Sequence, residues 1–279
     1  MPGRGERLKL LLDCGAIGDE EDRAIDKMAK PKLKAVFFDM DDTLVLTSAC
    51  DELAFVEVGK LATTLCAGVS VEDLVSGFKR GMKATPWDVE YKIHVDEWRA
   101  GLWKAALVEQ NLGLEPDHLM DVSRKLQTEY RQVRLSHFKF LEGVEGMVHR
   151  LRGKGLAVVI ITNGHHEVQR QKLVACEAEA LFGAVNILVG GEEVLKGDQE
   201  KPHPSIFAKA CKLAECDFGE AIHVGDSLKS DIQGGINAKL AATVWINAPK
   251  KALPQGAPNP TFTVETVTQV EKIVDDLLL

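Results

Sequence analysis

Two aspartates, Asp39 and Asp41, stand two residues apart at the end of the apolar run Ala35-Val36-Phe37-Phe38. A short apolar run of this kind reads as a buried parallel strand. In open α/β sheets, chemistry sits just beyond the carboxyl ends of the strands. Side chains of an extended chain alternate faces, so both carboxylates can point the same way. One can then act as nucleophile and the other as general acid and base. Taken alone, the pair reads first as an acidic loop capping a strand.

Three further groups follow in order. The run Leu156–Ile161 delivers Thr162-Asn163-Gly164. There a hydroxyl, an amide and a glycine at a strand-to-helix junction suit an anion, although the same residues also make a good turn. Lys201 lies in Glu200-Lys201-Pro202-His203-Pro204. The prolines restrict the chain and would hold its ammonium in place to offset phosphoryl charge; the plain alternative is a solvated surface lysine. The run Ala221–Val224 leads into Gly225-Asp226-Ser227-Leu228-Lys229-Ser230-Asp231. Carboxylates from two strand ends plus one backbone carbonyl make a hard oxygen site suited to Mg²⁺. Asp231 reads equally as a brace behind that site or as a helix N-cap.

These groups need a scaffold that brings strand ends together. Five apolar runs read as buried strands: Ala35–Phe38, Leu156–Ile161, Val185–Val189, Ala221–Val224 and Ala241–Ile246. From Gly143 onward they alternate with helical patterns at Val144–Leu151, Val168–Phe182, Ser205–Cys216 and Asp231–Lys239, the signature of a parallel α/β sheet. Each of the four chemical groups is expected at a strand end. Between Val45 and Phe138 the strand-like runs vanish, and helical periodicity covers Leu53–Leu65, Val71–Met82, Asp88–Glu109 and Pro116–Phe138. A helical block inserted after the first strand is a candidate lid over Asp39. Trp87, Trp98 and Trp103 fall in it and read as core packing. The expected division is an N-terminal extension at 1–31, an α/β core at 32–46 and 139–279, and a helical cap at 47–138. Pro249–Pro260 reads as a surface loop.

Composition narrows the function classes. Of 279 residues, 45% are hydrophobic and 27% charged, ordinary for a soluble globular chain. The net charge of −8 argues against nucleic-acid binding, which needs a basic face. No apolar run approaches the ~18 residues of a membrane span. The charged first residues do not form a signal peptide; Leu8–Leu12 could form a short helix, but residues 1–31 read first as a mobile or loosely docked extension. Six cysteines without a CxxC pair read as free thiols in a reducing, cytoplasmic compartment.

The order DxDxT, Thr-Asn, Lys, GDxxxxD, spread from about Lys34 to Ile246, resembles the haloacid dehalogenase superfamily, mostly Mg²⁺-dependent phosphohydrolases. The resemblance implies a Rossmann-like parallel sheet with an inserted helical cap. It gives Asp39 the attack on phosphorus, with an aspartyl-phosphate intermediate, and gives Asp41 the acid/base role. Thr162, Asn163 and the backbone N–H groups of Met40 and Asp42 would bind phosphoryl oxygens, and Lys201 would steady the charge. Mg²⁺ would be held by Asp39, the Asp41 carbonyl and Asp226. The dehalogenases proper lack an aspartate at the position of Asp41, so dehalogenation is not expected.

The second half resembles one subgroup more closely. It carries Thr162-Asn163-Gly164 with Gln169-Arg170-Gln171-Lys172, Val189-Gly190-Gly191-Glu192, Lys201-Pro202 and Asp231-Ile232-Gln233-Gly234-Gly235. The resemblance is to cytosolic enzymes that free a sialic acid from its 9-phosphate. The partner implied is therefore a small sugar phosphate, with the oligomeric state left open. A nucleotidase, a broad-range sugar phosphatase, a phosphomutase and a non-catalytic binding protein are the alternatives. Arg80, Lys83, His94 and Arg99 in the helical block could meet a sugar carboxylate, but each reads first as a solvated helix face.

Overall fold

The computed structural model describes residues 32–279; the expected N-terminal extension, with the Leu8–Leu12 helix and Cys14, lies outside the described residues. Six parallel strands form one sheet in the order β3-β2-β1-β4-β5-β6. They are β1 (Ala35–Phe38), β2 (Ala157–Thr162), β3 (Ile187–Val189), β4 (Ala221–Gly225), β5 (Ala242–Ile246) and β6 (Phe262–Val264). Both faces are covered, which is why the inner strands read as unbroken apolar runs. Val36 and Phe38 pack into one core with Val144, Met147, Val148 and Leu151 of α5 (Val144–Gly153). Ala35 and Phe37, on the opposite face, meet Ile206, Phe207 and Ala210 of α9 (Pro204–Leu213). That is the two-residue period of a strand buried on both sides.

The strand order reverses at β1, which lies between β2 and β4. Phe38 is level with Ile160 on one side and Val224 on the other. Residues just past these positions therefore share one crevice, the topological switch point where α/β sheets place their sites.

Between β1 and α5 come α1 (Thr47–Leu65), α2 (Val71–Ala84), α3 (Val95–Val108) and α4 (Pro116–Ser136). They enclose a second core, in which the Phe78 and Trp103 rings stack with centroids 3.7 Å apart. Of the three tryptophans expected there, only Trp103 is buried; Trp87 and Trp98 are half-buried. The helix expected from Asp88 begins at Val95 instead. The Asp88 carboxylate accepts the N–H groups of Glu90, Lys92 and Ile93, which closes a turn, and His94 caps the helix.

The expected helix Val168–Phe182 is two helices, α6 (His166–Ala175) and α7 (Ala178–Phe182), parted at Glu177 with φ of 53°. A short helix, α8 (Gly190–Leu195), follows β3. Expected Asp231–Lys239 is a wide turn at Leu228–Ile232 running into α10 (Gln233–Asn237). The edge strand β6 and α11 (Val270–Leu278) lie beyond the expected elements. The five cysteines among the described residues are all free. No helix among those residues is long and apolar enough to cross a membrane.

Candidate active site

Asp39 continues β1 by one residue, its N–H donating to Val224 O at 2.8 Å. The chain then turns: the Thr43, Leu44 and Val45 amides all point to the Met40 carbonyl. The Met40 side chain is buried in the sheet core. Asp42 takes a left-handed backbone, φ 54°, and its carboxylate accepts from the Ser48 N–H and hydroxyl. The Met40 side chain thus faces away from the crevice and the Asp42 carboxylate is engaged by Ser48, so their backbones are what can serve an anion there.

Lys201 is the hub of the crevice and is only 3% exposed. Its ammonium donates to Asp39 Oδ1 at 2.6 Å, Asp231 Oδ1 at 2.7 Å and Ile161 O at 2.7 Å. Burial works against this charge, but Asp231 and Asp39 outweigh it and hold the lysine firmly protonated. Burial pushes the Asp39 carboxyl well above its ordinary value, against the pull of Lys201. Asp231 is held low because Lys201 and His223 outweigh its own burial.

Asp231 also accepts from the Ser227 N–H at 2.9 Å and pairs with His223 Nε2 at 3.0 Å. It is therefore a brace; the cap of its turn is Ser227. Gly225 makes this possible, since a Cβ there would lie 2.2 Å from Asp231 Cγ. Lys201 is not at a strand end as expected. It sits in the loop between α8 and α9, on the N-terminal side of the cis Lys201–Pro202 bond.

Asn163 brings that loop in. Its Oδ1 accepts from Lys201 N at 3.0 Å and its Nδ2 donates to Lys201 O at 2.7 Å. This two-way clasp commits the amide expected to meet a phosphoryl oxygen. Gly164 follows at φ +115°, where a side chain would be strained.

Asp41 faces a different set of partners. Oδ1 accepts from Thr47 Oγ1 at 2.5 Å and Lys172 Nζ at 2.6 Å, and Oδ2 accepts from Gln169 Nε2 at 2.8 Å. Burial would raise its pKa, but Lys172 and Thr47 more than reverse this and bring it to about 2. The same burial lowers Lys172, with Asp41 opposing. The buried ammonium lies directly on the carboxylate, and the two form an ion pair at neutral pH. Asp41 is thus held as the carboxylate. Donating a proton to a leaving oxygen requires it to leave Lys172 and Thr47. In the sequence, Gln169 and Lys172 stand in the run Gln169-Arg170-Gln171-Lys172 that carries part of the subgroup likeness, with no role attached to either. Gln169 also donates to Thr162 Oγ1 at 3.0 Å, tying the two halves of the site together.

Asp39, Asp226 and Asp231 each offer a carboxylate oxygen within 4.8 Å of the others. Asp231 is spent on Lys201, His223 and Ser227. Asp226 has no ion pair among the described residues, and burial, then the charges of Asp231 and Asp42, push it up to about 7. Three carboxylates face one ammonium, and the donors are all oxygen, so the residues fit a hard divalent cation such as Mg²⁺. A cavity of about 310 Å³ opens beside Asp226, lined by Asp42, Ser48, Trp245 and Asn247. The larger hollow of about 590 Å³ near Leu141 and Glu177 touches none of these residues.

Of the charged residues considered in the helical block, Arg80 pairs with Glu109 at 2.6 Å and Lys83 is exposed. His94 is exposed and caps α3. Arg99 is the exception, only 6% exposed, so it is no solvated face.

A family model for haloacid dehalogenase-like hydrolases matches residues 33–239. The chain belongs to this family. It is 32% identical over 264 residues to N-acylneuraminate-9-phosphatase of Rattus norvegicus, covering 90% of this chain and 97% of that protein. It is 28% identical over 228 residues to glyceraldehyde 3-phosphate phosphatase of Pyrococcus furiosus, covering 79% and 83%. Among solved structures, the HAD-hydrolase YfnB of Bacillus subtilis, bound to magnesium, matches with a TM-score of 0.62 at 22% identity, covering 88% of this chain and 99% of that one. That last likeness is one of fold. The chain is thus a hydrolase with this α/β architecture, and these curated relatives are phosphatases.

Proposed function

We propose that the chain is a Mg²⁺-dependent phosphomonoesterase working through an aspartyl-phosphate, with N-acylneuraminate 9-phosphate as its substrate. The observation that carries the chemistry is Lys201, buried and bonded to Asp39 at 2.6 Å. An anionic ester repels an anionic nucleophile, and a fixed ammonium offsets that repulsion at the point where charge gathers. Asp39 Oδ attacks phosphorus, and the ester P–O bond breaks as Asp41, released from Lys172 and Thr47 by the incoming ester and carrying a proton taken up from solvent, gives that proton to the leaving oxygen. Asp41 then takes a proton from water as that water attacks phosphorus, releasing phosphate and restoring Asp39. Asp39, Asp226 and the Asp41 carbonyl would hold Mg²⁺, which when bound supplies further positive charge at the phosphoryl group. Thr162 and the backbones of Met40 and Asp42 serve the phosphoryl oxygens. Asn163 serves through its clasp on Lys201. The α1–α4 block acts as the cap.

The substrate rests on likeness to the rat enzyme over nearly both full lengths. It would place the protein in cytoplasmic sialic acid formation. A broader sugar-phosphate range is the second reading, favoured by the likeness to the archaeal triose-phosphate enzyme. Phosphate release with Mg²⁺ and with EDTA tests both. The panel is N-acetylneuraminate 9-phosphate, glyceraldehyde 3-phosphate, hexose phosphates and nucleoside monophosphates. The proposal expects EDTA to abolish release and the sialic acid ester to lead in kcat/KM. A flat profile overturns the substrate and keeps the phosphatase; release undiminished by EDTA overturns the metal.

A further inference from the structure

Arg99 on α3 is a buried cation with almost nothing to hold it. Its one hydrogen bond among the described residues runs from Nε to Pro86 O at 3.4 Å. Buried charges are ordinarily paired, because leaving water uncompensated is costly. The nearby carboxylates are already taken. Asp51 holds Arg134 at 2.5 Å and accepts from the Tyr130 hydroxyl at 2.8 Å. Asp96 holds Arg131 at 2.7 Å and accepts from Gln127 at 2.9 Å. Around Arg99, three guanidiniums therefore face two carboxylates, a local surplus of one positive charge; on the His165 side stands the Glu167 carboxylate, 3.3 Å from the His94 ring.

A second buried group without a partner lies alongside. His165, 4% exposed, follows Gly164 on the sheet side, and its Nδ1 meets no hydrogen-bond partner among the described residues. The segment Pro86–Tyr91 joins the two: Arg99 holds the Pro86 carbonyl, while the Trp87 and Tyr91 rings lie 5.9 and 5.2 Å from the His165 ring. This segment is firmly built, with Asp88 taking three of its amides and Tyr91 in a left-handed conformation at φ 55°. A residue other than glycine in that region marks a backbone held against local preference. His165 also borders the catalytic machinery, since Gln169, four residues further on in α6, bonds Asp41.

We propose that Arg99 and His165 form a subsite for a carboxylate carried by the substrate away from its phosphate. The ligand class is a phosphate monoester of a carboxylic acid. One carboxylate matches the single surplus charge, accepts the guanidinium's free N–H groups in a forked pair, and takes a hydrogen bond from neutral His165. The inference rests on the proposed phosphatase reading and deepens it, because N-acylneuraminate 9-phosphate is such an ester.

The test compares Arg99→Met, Arg99→Lys and His165→Asn with the unaltered enzyme on two groups of esters. N-acetylneuraminate 9-phosphate, 3-phosphoglycerate and phosphoglycolate carry a carboxylate; glucose 6-phosphate and p-nitrophenyl phosphate do not. Arg99→Met is expected to lose about 100-fold in kcat/KM on the preferred carboxylated ester and less than about tenfold on the neutral ones. Arg99→Lys, which keeps the charge without the fork, should fall between. Equal losses on both groups, or none on either, overturn the subsite. The two readings fail separately. A selective loss centred on 3-phosphoglycerate would keep the subsite and discard the sialic acid substrate. A strong sialic acid preference that survives Arg99→Met would do the reverse.

Discussion

Lys201 in the sheet crevice and Arg99 in the helical block are removed from water to nearly the same degree, yet their surroundings are opposite. Lys201 gives its ammonium protons to two carboxylates and a carbonyl, all within 2.7 Å. Arg99 has one long bond to a carbonyl. A cation whose partners are all built into the chain is scaffold and reagent together, and its geometry is set before any ligand arrives. A cation left without a partner costs stability until something from outside supplies one. On the proposed reading, the first cation serves the chemical step and the second the choice of substrate.

The comparison can be broken most severely at the nucleophile. Asp39→Asn should lower kcat by about 10⁴-fold or more while leaving the circular dichroism spectrum unchanged. Substantial metal-dependent turnover by that variant would sink the assignment. Lys201→Met should be the most destabilising change at the site. Removing it strands Asp39 and Asp231 in the interior, and urea denaturation should register a loss of about 3–5 kcal/mol. Arg99→Met points the other way. Exchanging an unpaired buried charge for an apolar side chain should leave the unliganded protein unchanged or more stable by ~1 kcal/mol. If Arg99→Met destabilises as much as Lys201→Met, the contrast between the two cations is false.

The smallest expected effect concerns pH. Burial, then the neighbouring His166, lowers His165 from 6.5 to about 4. Between those values the unfolded chain binds the proton that the folded chain refuses, so stability falls as pH drops through this window. His165→Asn should flatten that slope in denaturation curves taken between pH 7 and pH 4. An unchanged slope would show that the ring is not held neutral.

The carboxylate positions, the strand-end glycine-aspartate pair and the lysine were legible in the sequence because each follows or precedes a local signal. Ala35–Phe38 and Ala221–Val224 are short apolar runs that lead into the aspartates, and two prolines follow Lys201. Asn163 was legible as a site residue but not in its part, since its clasp on Lys201 spans 38 residues. Gln169 and Lys172 stood in a run that marked the subgroup likeness, but nothing local gave them a role. Only the fold turns that face toward Asp41. The strand β6 was missed because a three-residue edge strand carries too little period to stand out from a loop.

By itself the sequence determined the parallel sheet, the inserted helices and the order of the chemical groups. Those depend on hydrophobic period, turn residues and short spacing, all local properties of the chain. Only the tertiary structure decided which charges are paired. Asp231 became a brace, Asp41 a locked carboxylate and Arg99 a buried cation in surplus, because pairing depends on which distant side chains are excluded from water together.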